Sequence, residues 1–335
     1  MTDSKTTNGQ DRRTFVKVAL TGAVALGALP VLAQTQEGNP VLPNGHRTYA
    51  YPRPPFQAQS QKWPGLSRDM VPRPDIGEST YRGAGRLSGM RALITGGDSG
   101  IGSAVALAFA REGADIAINY LPFEEPDARE IIRLIKAEGR KAVALPGDLR
   151  EEAFCQRLVS DAARELGGLD ILVSNAGRQQ VRATIADVST QDFDDTLKTN
   201  VYALFWLTKA AVPLMQPGSA IVVTSSRLGG DPQANLIDYG MSKAAGINFV
   251  KSMSKQLASR GIRVNAVTPA QVWTPLHVTG GSTPENQVNL GAGLAIGRPG
   301  QPAEVAPLYV MAADPSLFFS TGQIFGATGG NGQPG

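Results

Sequence analysis

Thr95-Gly96-Gly97-Asp98-Ser99-Gly100-Ile101-Gly102 is the stretch of the chain that decides its fold. It follows a short apolar run and opens an amphipathic stretch, so it lies between a predicted strand and a predicted helix. Gly96 suits a tight turn, Gly100 lets the backbone approach a phosphate, and Gly102 lets the helix pack closely on the sheet. The free N–H groups at the helix N-terminus attract an anion. A glycine-rich string alone is often only a turn, but this context predicts a dinucleotide-binding loop.

Around this loop, from Gly89 onward, short β-rich runs alternate with amphipathic stretches. Such alternation predicts a parallel sheet with helices on both faces. The candidate strands are Ala92–Thr95, Asp115–Asn119, Ala142–Pro146, Ile171–Asn175, Ala220–Thr224, Val264–Thr268 and Gln323–Phe325. The candidate helices include Ile101–Glu112, Pro126–Glu138, Glu151–Leu166, Asp238–Ser259 and Pro302–Ala313. Residues 89–335 are therefore predicted to form one α/β domain, a doubly wound Rossmann-type fold with a parallel seven-stranded sheet.

Residues 1–33 have the features of a targeting signal. Arg12-Arg13-Thr14-Phe15-Val16-Lys17 precedes a mildly apolar stretch, Val18–Leu29, and small residues follow up to Ala33. Paired arginines, an aromatic residue and a lysine in this order resemble a twin-arginine signal, which the export machinery reads as an address. The apolar run is shorter than the span of about 20 residues that a membrane helix needs. We expect folded export to the periplasm with cleavage near Ala33; a Sec signal or an amphipathic tail is the alternative.

Residues 34–88 are predicted to form an extended, proline-rich arm. They are rich in Pro, Gly and Gln and lack sustained helical or strand periodicity. A disordered linker is one interpretation, but the segment carries too many large apolar side chains for a solvated spacer. These side chains are Tyr49, Tyr51, Phe56, Trp63, Leu66, Met70 and Ile76. We expect the arm to pack on the domain or on a neighbouring subunit.

Composition excludes several classes of protein. Hydrophobic residues make up 42% and charged residues 18% of the 335 residues, which fits a globular core and neither disorder nor a membrane bundle. The formal net charge is only +3 and no basic stripe with interleaved aromatics occurs, so a nucleic acid is not an expected partner. With one cysteine, Cys155, and two histidines, we expect neither an intrachain disulfide nor a zinc site.

Tyr239 and Lys243 form a candidate catalytic pair. They stand at positions i and i+4 of the predicted helix Asp238–Ser259, so the phenol and the ammonium group share one face. An adjacent cation is expected to lower the pKa of the phenol from its ordinary value of about 10. An exposed helix pair is the plainer interpretation. Ser226 makes the pattern more specific, because it follows the apolar strand Ala220–Thr224, whose carboxyl end is where ligands bind in an open α/β sheet.

Taken together, these motifs resemble the short-chain dehydrogenase/reductase family. The glycine loop reads Thr-Gly-x-x-x-Gly-x-Gly, Asn175-Ala176-Gly177 follows the fourth strand, and Asn200 stands in the next long helix. Ser226 lies at the family's spacing from the Tyr-x-x-x-Lys motif. The proline-rich arm, Gly96-Gly97-Asp98-Ser99 and Asn119-Tyr120-Leu121-Pro122 resemble a bacterial branch of the family whose members are commonly tetrameric, so we expect a homotetramer.

The resemblance implies hydride transfer between a nicotinamide and a small-molecule alcohol or carbonyl substrate. Proton transfer would pass through Tyr239, and Ser226 would hydrogen-bond the substrate oxygen. Lys243 would tune Tyr239 and hold the nicotinamide ribose, and Asn200 would position a water that links Lys243 to solvent. Two alternatives stay open: a catalytically silent nucleotide-binding protein and a 3-ketoacyl reductase, although export argues against the second.

The resemblance also assigns the residues that contact the dinucleotide. Asp148 would contact the adenine, and Thr274 the nicotinamide carboxamide or the pyrophosphate. Pro269-Ala270 replaces the usual Pro-Gly. The full predicted set is Gly96, Asp98, Ser99, Gly100, Ile101, Gly102, Asn119, Asp148, Leu149, Asn175, Ala176, Gly177, Tyr239, Lys243, Pro269 and Thr274. Residues His277–Leu294, rich in Gly, Thr and Asn, are predicted to form a mobile substrate lid.

The choice between NAD and NADP depends on the end of the second strand. Asn119-Tyr120 stands there instead of the acidic residue that binds a free ribose 2′-hydroxyl, which favours NADP. However, no Arg or Lys follows to neutralise a 2′-phosphate, and Asp98 in the glycine loop would repel one. The sequence therefore predicts NAD or NADP, with a preference for NAD.

Overall fold

The computed structural model describes residues 51–332. The predicted export signal (residues 1–33) and the first part of the arm (residues 34–50) lie outside the described residues. Within the described part, no helix is both long enough and apolar enough to cross a membrane.

A parallel sheet of seven strands forms the centre of the domain, with the order β3-β2-β1-β4-β5-β6-β7. The strands are β1 Arg91–Thr95, β2 Asp115–Tyr120, β3 Ala142–Pro146, β4 Ile171–Ser174, β5 Ala220–Thr224, β6 Arg263–Pro269 and β7 Ile324–Ala327. Each predicted strand is found, with ends that shift by up to two residues. The apolar strand residues at the centre are almost fully buried because helices cover both faces. The predicted fold class is confirmed.

Helices flank the sheet in two layers, each with its own apolar core. They are α1 Gly100–Arg111, α2 Glu125–Ala137, α3 Glu152–Leu166, α4 Thr190–Leu197, α5 Ala203–Ala211, α6 Ile237–Leu257, α7 Pro284–Val288 and α8 Pro302–Ala313. A π-helical turn, Lys198–Tyr202, joins α4 to α5 and contains Asn200. Hydrophobic periodicity does not reveal such a turn. The chain order reverses between β1 and β4, which places the ligand crevice at their carboxyl ends.

From Tyr51 the arm packs on its own domain. It is irregular apart from one 3-10 turn, Ser67–Asp69, as predicted. Phe56 stacks on Trp273 with ring centroids 4.5 Å apart, and the Trp273 indole N–H donates to the carbonyl of Pro72 at 2.8 Å. The sequence left open whether the arm packs on its own domain or on a neighbouring subunit. The described part of the arm contacts its own domain.

The predicted lid, His277–Leu294, has more structure than its polar composition suggests. It contains α7, and Val278 and Leu290 are almost fully buried. Together with Trp273 and with Phe56 and Met70 of the arm, these two residues form a third, smaller apolar core. The lid is therefore packed against the arm.

Candidate active site

A cavity of about 400 Å³ opens at the carboxyl ends of β1, β4 and β5. Nearly all the predicted site residues line it: Gly96, Asp98, Ser99, Gly100, Ile101, Asn119, Asp148, Leu149, Asn175, Ala176, Gly177, Ser226, Tyr239, Lys243, Pro269 and Thr274. Gly102 and Asn200 lie behind the lining. The structure therefore brings together residues that are up to 178 positions apart in the sequence, the separation of Gly96 and Thr274.

The glycine loop has the geometry expected of a phosphate cradle. Gly96 and Gly100 have φ of +60° and +51°, the left-handed region that favours glycine. A Cβ on Gly102 would lie 1.8 Å from the carbonyl oxygen of Gly96, so the first turn of α1 has no room for a side chain there. The cradle fits a pyrophosphate at the N-terminus of α1.

Tyr239, Lys243 and Ser226 converge at the other end of the cavity. Tyr239 and Lys243 are 6% and 5% exposed, which excludes the interpretation as an exposed helix pair. The Lys243 ammonium lies 5.4 Å from the centre of the Tyr239 ring and donates to the backbone carbonyl of Thr224 at 2.8 Å. Ser226 lines the same end of the cavity near the phenol, and its Oγ accepts from the N–H of Leu228 at 3.1 Å.

Burial controls the protonation of this pair. It raises the pKa of Tyr239 to about 12, and the hydrogen bond from Ser226 opposes that shift. Burial also lowers the pKa of Lys243 to about 8. The lowered pKa that the sequence predicts for Tyr239 is therefore wrong for the protein alone, because the ammonium group faces the ring and binds a carbonyl, while loss of hydration disfavours the phenolate.

Asn200 lies beside Lys243 without lining the cavity. Its amide donates to the carbonyl of Arg178 at 3.0 Å and to Ser242 Oγ at 2.9 Å, and its Oδ1 accepts from the Arg178 N–H at 2.8 Å. A Cβ on Gly177 would lie 3.6 Å from Asn200 Oδ1 and 3.7 Å from Lys243 Nζ. The two side chains therefore face one small space across a glycine.

Asn175 and Asn119 use their amides within the protein. Asn175 donates to the carbonyls of Thr95 and Gly96, both at 3.1 Å, and its Oδ1 accepts from Thr224 Oγ1 at 3.1 Å. Asn119 donates to the carbonyls of Leu145 and Gly147. Both line the cavity, but their amide N–H groups donate to the backbone at the strand ends.

Asp148, the predicted adenine contact, is held by Arg150. Arg150 pairs with Asp148 at 2.7 Å and with Asp195 at 3.0 Å. Burial raises the pKa of Asp148 and the hydrogen bonds from Arg150 lower it, with a net decrease. The carboxylate is therefore charged and fixed beside the cavity.

Two buried carboxyl groups, Asp98 and Glu124, lie at the cavity near the end of β2. Asp98 is 2% exposed, and its Oδ2 has no hydrogen-bond partner among the described residues. Burial is the main cause that raises the pKa of both groups. The charge of Asp127 raises both pKa values further, and the charge of Asp98 also raises that of Glu124. The sequence analysis assigned Asp98 to the site but not Glu124. The acidic residues Glu124 and Glu125, shortly after the end of β2, were the signal that could have indicated it.

The arm supplies a further part of the lining that sequence reasoning did not assign. Trp63, Pro64 and Gly65 face the cavity. The Trp63 ring lies 5.8 Å from the guanidinium of Arg178, which directly follows Gly177. In the sequence, the only indication that Trp63 lines the cavity was that a large aromatic side chain stands in an irregular arm with no core of its own.

Two protein relatives match most of the chain. "Uncharacterized oxidoreductase YhxD" of Bacillus subtilis is 50% identical over 278 residues, which cover 82% of this chain and 93% of that protein. "NADPH-dependent aldehyde reductase 1, chloroplastic" of Arabidopsis thaliana is 37% identical over 273 residues, covering 80% and 94%.

Solved structures match the Rossmann-type domain. A short-chain dehydrogenase from Burkholderia cenocepacia in complex with NADP has a TM-score of 0.68 at 35% identity, covering 73% of this chain and 98% of that one. A 3-ketoacyl-(acyl-carrier-protein) reductase from Brucella melitensis complexed with NADH has a TM-score of 0.66 at 27% identity, covering 73% and 98%. The Burkholderia cenocepacia structure carries NADP and the Arabidopsis thaliana relative depends on NADPH, whereas the less similar Brucella melitensis structure carries NADH, so the predicted preference for NAD is not supported.

A family model described as "Enoyl-(Acyl carrier protein) reductase" matches residues 96–331, which include the glycine loop and the Tyr-x-x-x-Lys motif. The fold, the cavity and the relatives agree with this match. The chain is therefore an NAD(P)-dependent oxidoreductase that belongs to the short-chain dehydrogenase/reductase family.

Proposed function

We propose that the chain interconverts a small alcohol and the corresponding carbonyl compound, with Tyr239 as the acid and base. The observation that supports this most directly is the convergence of Ser226, Tyr239 and Lys243 on one cavity, where all three are buried and the ammonium lies 5.4 Å from the centre of the phenol ring. When bound, the nicotinamide supplies or accepts the hydride. A substrate oxygen placed between the two hydroxyl groups accepts from both, which aims it at the proton that Tyr239 gives.

The protonation states favour carbonyl reduction as the first direction to test. Because burial raises the pKa of Tyr239 to about 12, the phenol holds its proton at neutral pH and is ready to act as an acid. A hydrogen bond from Ser226 would stabilise the phenolate that is left. Lys243, with its pKa lowered to about 8, exchanges protons readily near neutral pH. A water between Asn200 Oδ1 and Lys243 Nζ would complete a path to solvent.

Tyr239→Phe is expected to reduce turnover by about 10²- to 10⁴-fold while the Kd for the dinucleotide changes little, because only the phenolic oxygen is removed. Lys243→Ala is expected to reduce turnover and also to weaken dinucleotide binding. Stopped-flow rates and fluorescence titration with NADPH measure the two effects separately. Tyr202→Phe, at an exposed position, is the matched control.

Activity of Tyr239→Phe above a few per cent of the wild type would remove Tyr239 from the mechanism. Binding of dinucleotide without turnover of any aldehyde, ketone or alcohol would favour the silent nucleotide-binding protein. A 3-ketoacyl reductase is the second enzymatic candidate, supported by the Brucella melitensis match. Faster turnover of an acetoacetyl thioester than of simple aldehydes would favour it.

We propose that the site accepts NADP as well as NAD. The relatives that bind NADP or depend on NADPH support this, whereas two carboxyl groups near the end of β2 oppose a phosphate if both are charged. Burial raises the pKa of Asp98 and of Glu124, so the pair retains a proton to higher pH than exposed carboxyls do. A protonated carboxyl donates a hydrogen bond to a phosphate oxygen instead of repelling it.

The affinity for NADPH relative to NADH is expected to fall as the pH rises from about 6 to about 9, because the pair loses the proton that its raised pKa retains. Fluorescence titrations at both pH values measure the ratio of the two Kd values. Glu124→Gln is expected to reduce the change of this ratio with pH. Titration of the cofactor's own phosphate would affect the variant and the wild type equally, so the comparison separates the two causes. An equally steep dependence in Glu124→Gln would contradict this assignment.

A homotetramer is proposed as the assembled state. The α5 face and the adjacent π-helical turn present a large apolar surface that includes the exposed side chains of Tyr202 and Phe205, with Trp206 and Phe249 beside them. Apolar patches of this kind mark protein interfaces. Phe205→Glu is expected to lower the mass measured by light scattering, whereas Ile185→Glu, at another exposed position, is not. A monomeric wild type, or an unchanged mass for Phe205→Glu, would contradict the proposal.

Export by the twin-arginine route is proposed from the order of residues Arg12 to Lys17, which lie outside the described residues. That route carries folded proteins, so a dinucleotide bound in the cytoplasm could travel with the enzyme to a compartment without a ready supply. Arg12→Lys with Arg13→Lys is expected to leave the protein in the cytoplasm, folded and active, as fractionation measures. Normal export of the double variant would contradict the assignment of a twin-arginine signal. Periplasmic wild-type protein that contains no nucleotide would contradict the proposal that the enzyme carries its cofactor across the membrane.

A further inference from the structure

We propose that the arm segment Gln61–Ser67, called the strap below, is a third wall of the dinucleotide site that slows release of the bound nucleotide. The inference rests on the proposed function, since it assumes that the cavity holds the dinucleotide. Trp63, Pro64 and Gly65 of the strap line the cavity together with the glycine loop and the lid. The glycine loop and the lid form two sides of the cavity. The strap, which belongs neither to the sheet nor to its helices, forms a third.

The strap is fixed to the lid at one end. The Gln61 backbone N–H donates to the carbonyl of Val278 at 2.8 Å. Five residues earlier, Phe56 stacks on Trp273, and its N–H donates to the carbonyl of Val288 at 2.8 Å. Because Phe56, Trp273 and Val278 belong to one buried core, the lid and the start of the strap are expected to move together.

The strap is fixed to the opposite side of the cavity at its other end. The Ser67 N–H donates to Asp127 Oδ2 at 2.6 Å, and Arg68 pairs with the same carboxylate at 2.9 Å. Asp127 belongs to α2, which follows the strand end on the adenosine side. Ser67 Oγ also accepts from the N–H of Gly100 at 3.4 Å, at the start of α1 where the pyrophosphate is expected.

Between these anchors the strap holds its own turn. Gln61 Oε1 accepts from the Leu66 N–H at 2.7 Å, and Gln61 Nε2 donates to the Leu66 carbonyl at 3.0 Å. The turn brings Gly65 against the lid: a Cβ there would lie 2.4 Å from Thr279 Cγ2, and it would also lie 2.7 Å from Gln61 Oε1 within the strap. Closure of the strap over the cavity therefore depends on the absence of a side chain at Gly65.

This arrangement makes nucleotide release depend on a movement of the strap. The strap spans from the lid to the start of α1 and α2, so a nucleotide that lies beneath it leaves only after the contacts to Val278 or to Asp127 open. Opening adds a free-energy barrier to dissociation without changing the chemistry at Tyr239. Residence time, and not turnover of a saturated enzyme, is the quantity that the strap controls.

Gly65→Ala tests the strap directly, because its methyl group forces the strap away from Thr279. We expect the dissociation rate constant of NADPH, measured by stopped-flow displacement with excess NADP, to rise about tenfold, which corresponds to about 1.4 kcal/mol. Gly65→Ala with Thr279→Ser removes the clashing Cγ2 but keeps the hydroxyl that donates to the Pro275 carbonyl. Because Gln61 Oε1 would still lie 2.7 Å from the added methyl group, that double variant is expected to recover part of the increase in rate.

Gly300→Ala is the matched control, because Gly300 does not line the cavity and a Cβ there would make only ordinary contacts, 3.8 Å from Val272 Cγ2 and 3.9 Å from the Gln271 carbonyl oxygen. Phe56→Ala is a second way to free the strap and is expected to accelerate release as well; thermal melting verifies that each variant is folded. A wild-type release rate in folded Gly65→Ala and Phe56→Ala would overturn the inference. Failure of the wild type to bind NADPH or NADH would instead overturn the proposed function.

Discussion

Three strand ends meet at the side-chain amide of Asn175, at the carboxyl edge of the sheet. The amide donates to the carbonyls of Thr95 and Gly96 after β1, and it accepts from the hydroxyl of Thr224 at the end of β5. A buried polar group left without a partner costs about 1–3 kcal/mol, so these bonds fix the separation of β1, β4 and β5 where the chain order reverses. The glycine loop begins within this cluster.

The same cluster supports the catalytic end of the cavity. The backbone carbonyl of Thr224 accepts from the Lys243 ammonium, and the hydroxyl of Thr224 lies 2.6 Å from the Tyr309 hydroxyl. Ser225 Oγ donates to the backbone carbonyl of Lys243 at 2.7 Å. The glycine loop and the helix that carries Tyr239 are therefore anchored to the same two strand ends, which fixes their positions relative to each other.

The sequence allows the sheet and the catalytic residues to be predicted because both depend on local patterns. Strand and helix periods identify the layers, and the spacing of Ser226, Tyr239 and Lys243 identifies one edge of the sheet. The pKa of Tyr239 could not be predicted, because it depends on how completely the packed chain removes water from the phenol. The role of Trp63 could not be predicted either, since its position depends on contacts between an irregular arm and a distant lid, such as the hydrogen bond from Gln61 to Val278.

Enclosure connects the chemistry of the site with the arm. The burial that holds the proton on Tyr239 and lowers the pKa of Lys243 would also keep water away from the proposed hydride transfer. A site closed in this way exchanges its nucleotide slowly, which is a disadvantage for an enzyme that draws on a large free pool. Where no such pool exists, retention is an advantage, provided that a second substrate resets the nucleotide in place. Reductant and oxidant would then enter the same cavity in turn, so its walls, including the strap, would have to accept both.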